Sequence, residues 1–218
     1  PFGTLIENRS SSGGITIRDG VNTLTRTGDT AETTLSKSSD NKKINYTRLI
    51  FKGARIAETE GADTWGGRSK VGNTTTENEI TVASGAHTNI YGGWTSGSGS
   101  DAPAERQRDS RANKVTVSAT ATVSGTVYGG FTDVAGGAAS GNEVTIAKDL
   151  SAHIVGGSSL SGEASDNTVH LSHVTVSTVT GGAGMTTNRN TINLGGGAHV
   201  TNVLTGGSQA GSTGNTLN

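Results

Sequence analysis

Two short motifs alternate along most of this 218-residue chain. One is an Asn followed at every second position by an apolar residue, as in Asn142-Glu143-Val144-Thr145-Ile146, and the other is a Gly-Gly pair. A regular alternation at intervals of 20–50 residues is typical of repeat proteins, whose units bury an apolar face only by stacking on their neighbours. The motif asparagines are Asn78, Asn113, Asn142, Asn167, Asn190 and Asn215, and the glycine pairs begin at Gly66, Gly92, Gly129, Gly156, Gly181 and Gly206.

The intervals between the motifs predict where strands and loops lie. From each Asn to the next glycine pair the distance is 14, 16, 14, 14 and 16 residues, so it changes only in steps of two. Because strand side chains alternate between two faces, a change of two keeps inward residues inward, whereas a change of one would reverse them. From each glycine pair to the next Asn the distance ranges from 9 to 21 residues. We therefore expect strands in the first interval and a variable loop in the second.

The same alternation predicts which residues face inward beside each glycine pair. Counting by twos from each Asn reaches an apolar residue two positions before the glycine pair that follows it, as an inward strand position requires. The next residue is then expected to point outward. The inward positions are Ile90, Val127, Ile154, Val179 and Leu204, and the outward positions are Tyr91, Tyr128, Val155, Thr180 and Thr205.

The predicted fold is all-β: a β-solenoid, and specifically a right-handed parallel β-helix with coils of about 25 residues. No segment of useful length has helical periodicity. The composition agrees, because 34 glycines and only 30% hydrophobic residues suit a narrow core spread along an axis better than one compact core. Residues 41–218 are expected to form the solenoid repeats, and residues 1–40 a further coil or an N-terminal cap.

Composition excludes several classes of function. The chain has no Cys, which removes disulfide scaffolds, zinc ribbons and thiol nucleophiles. A net charge of −1 argues against a nucleic-acid partner held by a basic field. No Gly-x-Ser-x-Gly elbow is present, and residues 150–218 contain only Glu163, Asp166 and Arg189 as charged groups. We predict that the chain is not an enzyme and has no catalytic residues, no metal and no cofactor.

The segment from Asn113 to Asn142 combines Asn-Lys-Val-Thr-Val, Val-Tyr-Gly-Gly-Phe and Gly-Asn-Glu-Val-Thr-Ile. This pattern resembles repeats in the passenger domains of autotransporters, the type V secreted proteins of Gram-negative bacteria, and the resemblance covers about residues 65–218. It implies a secreted rod displayed on the bacterial outer membrane, with membrane contact only through a C-terminal barrel outside this sequence. Such passengers are most often adhesins or aggregation factors. The implied partners are a host-cell surface protein or glycan, or another copy of the chain.

The six motif asparagines occupy one position per predicted coil. We interpret them as a structural ladder at a corner, with side-chain amides that bond along the stack. The alternative is a polar binding stripe.

Aromatic residues cluster at the glycine pairs. An exposed line of rings on successive coils would stack on sugar rings or anchor a protein partner. The alternative is that the rings pack under neighbouring loops. Five of the eight aromatic residues are in this group: Trp65, Tyr91, Trp94, Tyr128 and Phe131.

The longest loop, from Trp94 to Ala112, is the strongest candidate binding segment. Loops inserted at one face of a solenoid are where binding sites usually lie. The alternative is a solvated excursion that proteases cut. Its candidate contact residues are Asp101, Arg106, Arg108 and Arg111.

Three functions remain open from the sequence. The leading hypothesis is an adhesin or host- and cell-interaction rod that binds through projecting loops. The second is a carbohydrate-binding solenoid that uses the edge formed by Trp65, Tyr91 and Tyr128. The third is a self-associating rod, whose Thr- and Asn-rich faces zip together in aggregates or biofilm.

Overall fold

A computed structural model describes residues 62–69, 74–97 and 108–218, and before residue 62 it describes the backbone of six strands. Every regular element of these residues is a strand, which confirms the all-β prediction. In chain order the strands are β1 (Phe2–Asn8), β2 (Thr16–Arg18), β3 (Thr23–Arg26), β4 (Leu35–Lys37), β5 (Tyr46–Lys52), β6 (Glu58–Glu60), β7 (Asp63–Ser69), β8 (Thr74–Thr76), β9 (Glu79–Val82), β10 (Ala86–His87), β11 (Ile90–Thr95), β12 (Ser110–Arg111), β13 (Lys114–Val117), β14 (Thr122–Val123), β15 (Thr126–Thr132), β16 (Ala139–Ser140), β17 (Glu143–Ile146), β18 (Leu150–Ser159), β19 (Thr168–Ser172), β20 (Thr175–Ala183), β21 (Thr191–Gly195), β22 (His199–Gly207) and β23 (Thr216–Leu217).

Three stacks of parallel strands form a β-solenoid of about five turns, as the repeat predicts. The motif sheet contains the strands that follow each motif Asn, in the order β9-β13-β17-β19-β21-β23. The glycine sheet contains the strands with the glycine pairs, in the order β7-β11-β15-β18-β20-β22, with β6 antiparallel to β7 at its end. The short-strand sheet has the order β1-β5-β8-β12-β16. A small two-stranded sheet joins β10 to β14, and β2, β3 and β4 form an antiparallel sheet.

The main apolar core lies between the motif sheet and the first half of the glycine sheet. Strands of the motif sheet alternate exposed and buried side chains, so Val115 and Val117 face the core with at most 1% exposure. All the inward positions predicted beside the glycine pairs are fully buried except Leu204, which is 36% exposed because β22 is the last strand of its sheet. The handedness of the coil stays a prediction.

The glycine pairs lie inside strands, as Gly92 and Gly93 do in β11. A Cβ on Gly93 would lie 2.4 Å from Nδ2 of Asn113, and one on Gly92 would lie 2.3 Å from the carbonyl oxygen of Gly129 on the next coil. Both glycines therefore turn their missing side chains inward. The repeat needs two glycines here because the Asn of the same coil fills the space beneath them.

The motif asparagines form a continuous hydrogen-bonded ladder along the interior. The backbone N–H and the Nδ2 group of each Asn both donate to Oδ1 of the next one, as in Asn113 to Asn142 at 3.1 and 3.0 Å. The same pair of bonds links Asn142 to Asn167, with both distances 3.0 Å. From Asn78 to Asn190 the ladder residues are at most 1% exposed, and successive rungs are 35, 29, 25, 23 and 25 residues apart.

A second, polar interior lies on the other side of the ladder. The Thr75 hydroxyl is hydrogen-bonded to the Thr95 hydroxyl at 3.0 Å and donates to Oγ of Ser110 at 3.1 Å, and all three residues are fully buried. These contacts join the short-strand sheet to the second half of the glycine sheet. The short strands were not anticipated from the sequence, because two- or three-residue strands of Ser and Thr carry no apolar alternation.

Candidate binding edge of the solenoid

Loops of different length leave each coil at one place, between the glycine sheet and the short strands. The strands before these loops stay in register from coil to coil, since Thr95, Thr132 and Ser159 are paired partners. The loops after them therefore stack into one strip of surface, which we call the loop edge. Within the described residues its segments are 96–97, 108–109, 133–138, 160–163, 184–186 and 208–214.

The end of the longest loop is fastened to the neighbouring loop. Arg108 donates from Nη1 to the carbonyl oxygen of Ala135 at 2.7 Å, and the backbone N–H of Ala138 donates to Oδ1 of Asp109 at 3.0 Å. Arg111 lies 3.7 Å from the Asp109 carboxylate. This part of the loop is thus ordered structure on the next coil, unlike the solvated excursion considered above. Two further candidates, Asp101 and Arg106, lie outside the described residues.

The five aromatic residues beside the glycine pairs come together in one cluster. The rings of Tyr91 and Tyr128 stack across adjacent coils with centroids 5.1 Å apart and planes 6° apart. Within one strand Tyr91 also stacks on Trp94, at 4.6 Å. Phe131 meets Tyr128 edge-on at 5.2 Å, and Trp65 meets Trp94 edge-on at 6.2 Å.

Two members of this aromatic line are buried, so for them the packing alternative holds and the exposed platform does not. Trp65 is 1% exposed and Tyr91 is 7% exposed. Because two consecutive glycines face inward, the residues on either side of the pair both fall on the outer face, where their rings cover one another. Trp94, Tyr128 and Phe131 remain partly exposed, so the rings open to a partner are fewer than the sequence indicates.

Arg68 completes the cluster and was not anticipated. Its guanidinium carbon lies 4.5 Å from the ring centroid of Trp65 and 3.9 Å from that of Trp94, a cation–π contact on two sides. Arg68 pairs with Trp94 in the strand register, so aligning the residue after each glycine pair would have revealed it. Burial, and secondarily the Asp63 carboxylate, raises the pKa of Tyr91 far above its ordinary value, which keeps its phenol neutral.

An apolar patch on the loop edge was also missed. Leu160 is 66% exposed and Met185, the single Met of the chain, is 68% exposed. They lie on adjacent coils, since the Met185 N–H donates to the carbonyl oxygen of Gly162 at 2.8 Å. Each follows the second glycine of its pair by three residues, and this shared position is the only signal that the sequence offers.

Two carboxylates flank the apolar patch. Asp133 lies on the coil before Leu160, at the position that follows the paired residues Thr132 and Ser159. Glu163 forms a parallel β-bridge with Thr186, the residue after Met185. Neither carboxylate forms a salt bridge with another residue in the described part of the chain. Partial burial raises the pKa of Asp133, whose carboxylate accepts the Gly97 N–H at 3.3 Å.

The outer face of the motif sheet is polar and paired. Lys114 lies 3.1 Å from Glu143 on the next coil, and that hydrogen bond raises the pKa of Lys114. His170 lies 3.8 Å from the other oxygen of Glu143. In the ranges that the structure describes, no three His, Asp or Glu side chains converge in a way that could hold a metal ion. The same ranges contain no helix of the length and apolar character that a membrane-spanning segment requires.

Comparison with known proteins gives no relative for this chain. No family model matches it, and neither the curated proteins nor the solved structures contain a significant match.

Proposed function

We propose that this chain is part of a surface-displayed adhesin, an autotransporter-type passenger whose solenoid presents recognition loops along one edge. One observation carries the proposal. Length variation is concentrated on the loop edge, while the ladder asparagines and the glycine pairs repeat in every coil. A fixed frame with variable loops is how solenoid proteins build a recognition surface.

The chemistry of the loop edge favours a protein partner. The edge carries exposed aliphatic side chains at Leu160 and Met185. The partly exposed ring of Phe131 is on the strand before the edge, where Phe131 pairs in register with Ser158, two residues before Leu160. Apolar and aromatic anchors with polar groups around them are typical of protein–protein hot spots.

Glycan binding is the second candidate, supported by the partly exposed rings of Tyr128 and Phe131, which meet edge-on. It has less support than the sequence indicates, because Trp65 and Tyr91 offer no open ring face. Replacing Tyr128 by Leu, which keeps an apolar contact and removes the aromatic face, would abolish glycan binding and leave protein binding largely intact.

The decisive experiment measures binding of the purified chain to cultured epithelial cells by flow cytometry. In one variant residues 98–107 are replaced by a Gly-Ser segment of the same length, which leaves the fastened residues Arg108 and Asp109 in place. The matched control changes Thr116 and Thr145 to Ala on the outer face of the motif sheet, away from the loop edge. Circular dichroism establishes that all three proteins are folded.

The proposal expects binding by the wild-type chain, a loss in the loop variant and no change in the control. Binding that falls only in the motif-sheet control would place recognition on the other face. Absence of wild-type binding would contradict the adhesin proposal for this chain.

A further inference from the structure

We propose that Leu160 and Met185 form the central contact of the loop edge with a protein partner whose contacting segment carries basic side chains, and that peroxide oxidation of Met185 switches this contact off. The inference rests on the adhesin proposal and specifies its contact and its partner.

The side chains of Leu160 and Met185 are both largely exposed. Covering large apolar side chains removes apolar surface from water, so two of them exposed on adjacent coils offer a favourable contact to a partner. Leu160 and Met185 are 66% and 68% exposed, whereas most other large apolar residues in the described coils are buried. Val203, Leu204 and Leu217 are also exposed, but they lie on the last coil, where the stack ends.

The kind of partner follows from the charges around the patch. Asp133 and Glu163 flank the two apolar side chains, and neither is neutralised by a salt bridge within the described residues. The nearby Asp166 is already engaged by Arg189, whose Nε and Nη2 donate to its two carboxylate oxygens at 2.7 Å each. A partner with Lys or Arg beside its own apolar anchor would complement this arrangement.

The oxidation step follows from composition and exposure. The chain has one Met and no Cys, so Met185 is the single sulfur atom that peroxide could oxidise. Hydrogen peroxide transfers one oxygen atom to the thioether: the O–O bond breaks, an S–O bond forms, and water leaves. The sulfoxide is polar, and methionine sulfoxide reductases reverse the reaction. A polar group at the centre of an apolar contact loses the burial that stabilised the complex.

The test compares apparent Kd values on epithelial cells before and after mild peroxide treatment, with mass spectrometry to confirm addition of one oxygen. We expect oxidation of the wild-type chain to raise the Kd about tenfold, and sulfoxide reductases to restore it. The matched control is Met185→Leu, which stays apolar and cannot be oxidised. It should bind like the untreated wild type both before and after peroxide treatment. A second variant, Leu160→Ser with Met185→Ser, should bind weakly under all conditions without loss of fold, since both positions are exposed.

Each remaining outcome has a defined meaning. If the wild type binds and the double Ser variant binds equally well, the adhesin proposal survives and the patch is not the contact. Equal peroxide sensitivity of wild type and Met185→Leu would overturn the oxidation switch. Binding that is insensitive to salt and to Asp133→Asn with Glu163→Gln would overturn the basic partner. If the wild type does not bind, the adhesin proposal itself fails.

Discussion

The ladder makes a quantitative prediction for Asn142→Ala. The Asn142 side chain takes part in four hydrogen bonds: it accepts from the N–H and Nδ2 of Asn113, and it donates to Oδ1 of Asn167 and to the carbonyl oxygen of Ser110. It is 1% exposed, so water cannot replace these partners. The substitution leaves three groups without their partner: the Asn113 N–H, one Asn113 amide hydrogen and the Ser110 carbonyl.

Each buried polar group that loses its hydrogen-bond partner lowers the free energy of unfolding by about 1–3 kcal/mol. The Nδ2 group of Asn113 keeps contacts with Thr75 and Ser110, so its loss lies at the low end. Summing the three groups gives a decrease in the free energy of unfolding of about 3–7 kcal/mol for Asn142→Ala.

The chain offers a matched control at Asn215. Its side chain accepts from the N–H and Nδ2 of Asn190 and donates to the carbonyl oxygen of Thr187, so three of the four types of bond are the same. Asn215 is partly exposed, and water can take over these bonds. We expect Asn215→Ala to cost only about 1 kcal/mol.

Urea denaturation followed by far-UV circular dichroism compares the two variants with the wild type. Native-state hydrogen exchange at the Asn113 amide gives a local readout, since that N–H loses its acceptor in Asn142→Ala. Equal costs for the two substitutions, or unchanged exchange at Asn113, would refute the argument that buried ladder bonds stabilise the interior.

Three further predictions concern other parts of the coil. Gly130→Ala should destabilise the fold by about 1–3 kcal/mol, because a Cβ there would lie 2.5 Å from Nδ2 of Asn142, and thermal unfolding would reveal it. Lys114→Gln should cost less than about 1 kcal/mol in urea denaturation, since its pair with Glu143 is solvent-exposed. Burial lowers the pKa of His153 below 6.5, so the unfolded chain takes up the proton first and stability is lost as the pH falls below about 6.5; His153→Gln should remove this dependence in unfolding measured across the pH range.

Each of these has a control. Gly195→Ala adds a methyl group where the nearest side-chain atom is 3.3 Å away, and a loss as large as that of Gly130→Ala would contradict the steric argument. The small effect of Lys114→Gln should vanish in high salt, and persistence there would mean that the contact is not electrostatic. A pH dependence that is unchanged in His153→Gln would show that a group other than His153 causes it; Asp133 is not that group, because its raised pKa acts in the opposite direction.

Periodicity was enough to predict the solenoid and its core. The two-residue alternation identified Ile90 and Ile154 as inward, and both are fully buried. Tyr91 also points outward as the alternation predicts, and it is the rings of Trp94 and Tyr128 that bury it. The alternation breaks after the glycine pair, because two consecutive inward glycines place Trp94 on the outer face, and no period of two can represent that break.

Other features depend on three-dimensional placement that the sequence does not encode locally. Arg68 contacts its two aromatic partners only because the strand register aligns it with Trp94 on the next coil. The exposure of Leu160 and Met185 depends on how far each loop extends beyond the one beside it. Asp101 and Arg106 remain predictions.

All the hydrogen bonds of the asparagine ladder run in the same direction along the stack of coils. Every rung from Asn78 to Asn190 donates to the following coil, so the amide donors of each coil are satisfied only when the next coil is in place. The ladder therefore has a polarity that apolar packing alone would not impose, since the Oδ1 atom of each inner rung accepts from the coil before it and its N–H groups donate to the coil after it.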